Sequence, residues 1–360
     1  MDDVTKNTPG GTRNSNLELY RILVMLLIVA HHYVVNSGVL ETVYNSPLEA
    51  NSIFLFLFGM WGKIGINCFV LITGYIMCKS NITVRKYLKL VLEVEFYNVM
   101  IYAIFLLSGY EAISLSGIAK AILPIISIST NFSGCFLVFY LCIPFLNILV
   151  RNMSEKQHLS LLGLIFFTYV FMGTVPKFSV TMNYVSWFTC LYLIASYIRL
   201  YPKVIFDKTK LWGVFTVALG VLCIASVLCC VWLGTRIDKR MAYYFVSDSN
   251  TLLAVCFGIS SFVFFKNLKI KQSRVINTIA SSTFGVLMIH ANSDTMRRWL
   301  WQTVLNVKGA FSLNTPVLVL HAVLAVLGIF VVCLVIDQIR IRTVEKYILD
   351  KAEKGVNKLL

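Results

Sequence analysis

Apolar runs, many of them about 20 residues long, recur along this chain between short polar stretches rich in Lys, Arg, Asn and Ser. A helix of that length spans a hydrocarbon core about 30 Å thick. The first run extends from about Leu17 to Ser37. The second, near Ile53 to Cys78, is unusually long and is interrupted by Gly59, Gly62, Lys63 and Gly65. It reads as a short re-entrant piece followed by a helix that begins near Gly65. Further runs cover Tyr87–Ser108, Ser133–Val150 with Pro144 as a kink, Leu159–Val175, Tyr184–Leu200 and Leu211–Leu233. Thr251–Phe265, Ile276–His290 and Pro316–Asp337 complete the set. Ile118–Ile128 is apolar but short, which suits the interface better than the bilayer interior. The alternating ten-residue segments of a β-barrel are missing. The pattern predicts an all-α fold, a polytopic membrane bundle of about ten transmembrane helices. It divides the chain into a polar tail (1–16), a membrane domain (17–338) and a basic amphipathic tail (339–360), the last expected to lie against membrane lipid.

Composition agrees, since 58% of the residues are hydrophobic, and this excludes an ordinary soluble domain. The net charge of +15 has a topological explanation. With an even number of spans, one set of loops collects Lys79, Arg85, Lys86, Lys89, Arg151, Lys156, Arg199, Lys203 and the basic C-terminal tail. The opposite loops hold far fewer cations, among them Lys177, Lys239 and Arg297. Lys and Arg mark cytoplasmic loops, so both termini are expected in the cytoplasm of a multi-pass plasma-membrane protein. Nothing but the charge points to nucleic acid, and no nucleic-acid partner is expected. The ten cysteines mostly sit within apolar runs and read as small buried hydrophobes. None has zinc-ligand spacing with a histidine, and no metal is expected. There is no cleavable signal peptide in the first residues. The two halves lack the matched interrupted helices of inverted-repeat transporters.

Ionisable groups inside the runs need a reason, because a central Arg costs about 3 kcal/mol on insertion scales. Arg21, His31 and His32 share the first run, "LELYRILVMLLIVAHHYVV". Arg21 and His32 are eleven residues apart, which makes them nearly cofacial and separates them by about 16 Å along a helix. His31 points about 100° away. Arg21 either snorkels to lipid phosphate or anchors a ligand, and the histidines either satisfy carbonyls or act as a base near neutral pH. Thr73 and Tyr75 flank Gly74 in "GINCFVLITGYIM", where helix packing is the simpler reading. Thr83 is placed to cap the next helix. Arg85, Lys86 and Lys89 open that helix as either a positive-inside cluster or a phosphate clamp. Late in the chain, "GVLMIHANSDTMRRWLWQTV" gathers His290, Asn292, Asp294 and Arg297 at the non-cytoplasmic end of a span, as a polar acceptor site or a capped helix end. His321 reads as a packing residue, and Glu93 and Glu95 as partners for unidentified cations.

The order of these segments resembles the family 3 acyltransferases, membrane enzymes that acylate cell-surface carbohydrates and other envelope molecules. The resemblance runs over about residues 14–340. It rests on Arg21 and His32 in the first span, on "GINCFVLITGYIM" with Thr73 where Ser is more usual, on "VSWFTCLYLIASYIRLY" around Trp187, and on the late His-Asn-Arg segment. The family pattern has two arginines at the start of the third span. Here Arg85 stands with Lys86 and Lys89, which lack the second planar fork. Some relatives carry a fused hydrolase-like domain, and a chain of this length is expected to work alone or with a separate partner.

The resemblance implies an O-acyltransferase that takes an acyl group, acetyl above all, from cytosolic acyl-CoA. No bound cofactor is implied, since acetyl-CoA is the donor substrate. The partners implied are acyl-CoA and a surface polysaccharide or lipid-linked glycan. In this reading His32, with Arg21 and His31, is catalytic, and Arg85, Lys86 and Lys89 bind the donor. Thr73, Tyr75, Trp187, His290, Asn292 and Arg297 contact substrate. The competing reading is a polysaccharide exporter or flippase in which the same buried charges line a permeation path. A third is a membrane module for amino-acid uptake beside a racemase.

Overall fold

The computed structural model describes residues 14–123, 132–176, 178, 180, 182–345, 347–349 and 351. The fold is all-α, and no strand occurs among the described residues. Most of the two tails, residues 124–128 of the expected interfacial stretch, and Lys177 lie outside the described residues.

Helix α1 (Ser15–Val35) is pinned at its start by Asn16, whose Nδ2 donates to the carbonyls of Phe265, Lys266 and Leu268 at 2.9, 2.7 and 3.1 Å. These are carbonyls left open at the end of another helix, so one side chain joins two helices. A short α2 (Leu40–Asn45) leads to α3 (Ala50–Gly59) and α4 (Gly62–Met77). Met60 and Trp61 break this long apolar segment, and the second helix begins at Gly62 rather than near Gly65. Gly65 instead admits Ile28 of α1, whose Cγ1 would lie 2.7 Å from an added Cβ. Thr83 caps α5 (Val84–Leu107), its Oγ1 accepting from the Lys86 amide at 3.3 Å. The described part of the interfacial stretch is the short α6 (Leu115–Ile122).

Helix α7 (Phe132–Asn152) carries Pro144 in its interior. A Ser154–Gln157 capping box starts α8 (Glu155–Ile165), which continues through a π-turn into α9 (Met172–Thr174). Asn183 and Ser186 form the same device ahead of α10 (Tyr184–Leu200). Then come α11 (Thr209–Ile237), α12 (Leu252–Asn267), α13 (Arg274–Ser281) and α14 (Thr283–His290), the last two divided at Ser282. The short α15 (Asp294–Arg298) and α16 (Val307–Ala310) precede α17 (Thr315–Arg340), which Asn314 caps.

Each expected span coincides with helix, but the count of ten does not follow from length. Among the described residues, seven helical stretches are long and apolar enough to cross a membrane. The shortfall lies in α10 at 17 residues, in α12 at 16, and in the break between α13 and α14. The stretch Ala50–Met77 is 72% buried over its most apolar window, whereas α11 is 22% buried. Helix α4 is therefore central, packed against α1, α10 and α12, and α11 turns its apolar side outward. Polar helix ends gather on two opposite faces. Asn14 and Arg340 mark the terminal face, and Asn51, bonded to the carbonyls of Phe311 and Leu313, marks the far face. The described start of the C-terminal tail is tied to protein, because Glu345 reaches Lys89 at 2.6 Å and Arg340 at 3.1 Å.

Candidate active site

Arg21 and His32 lie on one continuous helix, so α1 fixes a guanidinium toward the terminal face and an imidazole about 16 Å deeper. His32 meets His290, the last residue of α14, which is fully buried. Nδ1 of His290 lies 2.6 Å from the carbonyl of Val286, one turn back. A carbonyl only accepts, so this nitrogen carries the proton. In the neutral ring Nε2 then holds a lone pair, and it accepts from Nδ1 of His32 at 2.9 Å. The hydrogen-bond chain thus assigns the tautomers. His32 keeps its own lone pair on Nε2, the form in which an imidazole removes a proton. His31 turns elsewhere. Its Nδ1 is 2.5 Å from the carbonyl of Gly59, and its ring rests where a Cβ on Gly62 would overlap it. His31 therefore braces the break between α3 and α4.

A cavity of about 780 Å³ opens on the terminal face. Arg21 of α1, Lys79 after α4, Arg199 of α10 and Lys266 of α12 line it. Arg21 bonds Glu18 at 2.9 Å and stands 5.8 Å from the Phe69 ring centre. Arg199 donates to the Tyr75 hydroxyl at 2.8 Å and stacks 4.6 Å over the same ring. Lys266 is 3.3 Å from Asp207. Thr73 also faces the cavity, with its hydroxyl turned back to the Phe69 carbonyl at 3.2 Å. Phe69, Phe136 and Phe284 form an apolar wall, with centroids 6.2 Å apart for the first two and 5.6 Å for the last two.

A smaller cavity of about 320 Å³ lies on the far face. Asn98, Tyr102, Asn292, Asp294 and Arg297 line it. Asn292 donates to Asn98 at 2.9 Å, and Arg297 bonds Asp294 at 2.8 Å and the Ala291 carbonyl at 3.1 and 3.3 Å. Asn292 is two residues past His290, so this polar cavity adjoins the histidine pair in sequence.

A family model described as an acyltransferase domain matches residues 14–337, nearly the whole chain. The chain belongs to the family 3 acyltransferases. No curated protein and no solved structure matches it.

In this family 3 acyltransferase, the expected donor residues do not line the terminal-face cavity. Arg85, Lys86 and Lys89 are exposed in the first turns of α5. Lys86 donates to the Asn81 carbonyl at 2.9 Å, and Lys89 pairs with Glu345. Lys79, Arg199 and Lys266 occupy the cavity wall instead, and in sequence they are indistinguishable from other inside-positive residues. Trp187 is fully buried, donating to Asn67 at 2.8 Å, while Asn67 donates to the Ser249 carbonyl at 2.6 Å. That chain joins α4, α10 and the loop before α12. Glu93 finds its cation in Arg340 at 3.1 Å. Arg340 also donates to Asp337 at 2.9 Å, and Asp337 accepts from Tyr97 at 2.7 Å. His321 packs as expected, 2.8 Å from the Tyr33 hydroxyl. Among the described residues no group of His, Cys, Asp and Glu is arranged to hold a metal.

Proposed function

We propose that this acyltransferase moves an acetyl group from cytosolic acetyl-CoA to a hydroxyl of a cell-surface polysaccharide or lipid-linked glycan. It sits in the plasma membrane with both termini cytoplasmic. The observation that carries this reading is the chain Val286–His290–His32, which leaves a positioned lone pair on Nε2 of His32. The basic cavity on the terminal face supports a donor site. Arg21, Lys79, Arg199 and Lys266 are suited to the phosphates of CoA, and Arg offers a bidentate fork. The charge asymmetry of the loops supports a cytoplasmic terminal face. The hydrogen-bonding groups of the far-face cavity, Asn292 and Arg297 among them, suit a sugar.

In the reaction, Nε2 of His32 takes the proton of the acceptor hydroxyl as its oxygen attacks the thioester carbonyl carbon. The tetrahedral intermediate collapses, the C–S bond breaks, and the CoA thiolate recovers the proton. No covalent acyl-histidine is required.

The test uses protein reconstituted in liposomes, with labelled acetyl-CoA supplied at the terminal face and a panel of glycans at the other. The wild type is expected to release CoA and label a glycan, and His32→Gln to lose both while remaining folded. Absence of CoA turnover in correctly oriented wild-type protein with every acceptor, together with glycan transport that survives His32→Gln, would refute acyl transfer and favour an exporter.

A further inference from the structure

His32 supplies a base, but attack on a thioester also places negative charge on the carbonyl oxygen. The His32–His290 pair is committed to the acceptor's proton, so a separate donor is needed for that oxygen. Lys63, at the start of α4, carries a charge of the required sign. It is the second residue of α4, immediately after Gly62, the position against which the His31 ring packs. The His31 and His32 rings are themselves 5.7 Å apart, so the start of α4 and the histidine pair are neighbours. Its ammonium is anchored rather than free to drift. It donates to the Tyr184 hydroxyl at 2.6 Å and lies 5.3 Å from the centre of that ring. Among the described residues, no carboxylate neutralises it. The cation of the far-face cavity, Arg297, is paired with Asp294 at 2.8 Å. A half-buried cation held by a phenol, one residue from the glycine that seats the His31 ring, has capacity left for an anion.

We propose that Lys63 is a catalytic residue, its ammonium stabilising the oxyanion that forms on the thioester carbonyl when the acceptor attacks. This rests on the acyl-transfer reading above. As His32 takes the hydroxyl proton, the carbonyl π electrons move to oxygen, and Lys63 meets that charge. Collapse restores the carbonyl and expels the thiolate. Tyr184 is a positioning residue, because it acts only through Lys63.

The experiment measures acetyl transfer by Lys63→Met, Lys63→Gln, Lys63→Arg and Tyr184→Phe. Alongside it, affinity is measured for a ketone analogue of acetyl-CoA in which CH₂ replaces the breaking bond's sulfur link. Removal of one oxyanion donor typically lowers kcat roughly 10²–10³-fold. The expected result is a loss of that size in Lys63→Met and Lys63→Gln, with analogue affinity and thermal midpoint unchanged. Lys63→Arg, which keeps the charge, should recover activity to within about tenfold of wild type, and Tyr184→Phe should lower kcat with KM unchanged. Two folded, neutral variants with near-wild-type kcat would overturn the role, as would a loss seen only in KM or analogue affinity. If Lys63→Met does not fold, Lys63→Gln and Lys63→Arg decide between the same outcomes. Wild-type protein that never turns over acyl-CoA would refute the acyl-transfer reading itself, a failure distinct from active wild type with active Lys63 variants.

Discussion

Replacing His290 separates a base from a merely buried histidine. In His290→Leu, Nδ1 of His32 loses the acceptor now 2.9 Å away. A neutral hydrogen bond contributes about 1 kcal/mol net, so its loss alone shifts the balance of His32 tautomers roughly fivefold. Loss of ring orientation adds to this, and the ceiling is the whole contribution of a general base, roughly 10²–10⁴-fold. The expected fall in kcat for His290→Leu is thus about 10–100-fold. His290→Gln is the informative companion. Its amide oxygen can accept from Nδ1 of His32, as Nε2 of His290 does now, and should hold activity within about fivefold of wild type. The assay is acetyl-CoA-dependent product formation in liposomes, with thermal unfolding as the control for folding. Equal activity in the two variants, either both near wild type or both abolished with the fold intact, would refute the assignment of His290 as the group that sets the His32 tautomer.

Other outcomes follow from the same geometry. Arg340→Met leaves Glu93 and Asp337 without their buried cation and should cost about 3–5 kcal/mol, read as a clear drop in the thermal midpoint in detergent. Gly62→Ala puts a methyl group into the His31 ring and should cost about 1–3 kcal/mol, measured the same way. Lys79→Ala should raise KM for acetyl-CoA roughly tenfold, the effect of losing one hydrogen bond to a charged group. Lys86→Ala should leave that KM unchanged, since Lys86 is outside the cavity wall.

Helix positions were legible in the sequence because apolar runs of bilayer length have few alternative structures. The run Ile53–Cys78 even announced its break through Gly59 and Gly62. The number of crossings was less legible. A helix at the centre of a bundle, such as α10, is covered by other helices, so its length need not match the hydrocarbon thickness as closely as a lipid-facing one. Arg21 and His32 stood out because each is costly in lipid and their spacing makes them cofacial. Their partners were hidden. His290 is 258 positions from His32, and no local pattern encodes that contact. The basic cavity was hidden for a different reason. Membrane topology already calls for cations on the cytoplasmic side, so Lys79 and Arg199 look the same in sequence as Lys86. Only the packing of α4 against α10, where Gly74 brings an added Cβ within 3.0 Å of the Tyr192 Cα, draws them to one opening.

In the proposed reaction, the three-ring wall favours one substrate over the other as the one that crosses the protein. Phe284 lies six residues before His290 on α14, so the wall and the hydrogen-bond partner of the base are about 9 Å apart along the axis. A polysaccharide is bulky and hydrated, and carrying its hydroxyls past the faces of Phe69, Phe136 and Phe284 would strip water from many polar groups at once. Acyl-CoA divides differently. Its phosphates can stay with Arg21, Arg199 and the lysines at the mouth, while a slender arm carries the thioester forward. In the proposed reaction the donor therefore threads inward and the acceptor stays at the far face. The same arrangement explains the placement of the base. In that reaction His32 sits deeper along α1 than the basic mouth, between the donor cavity and the far face.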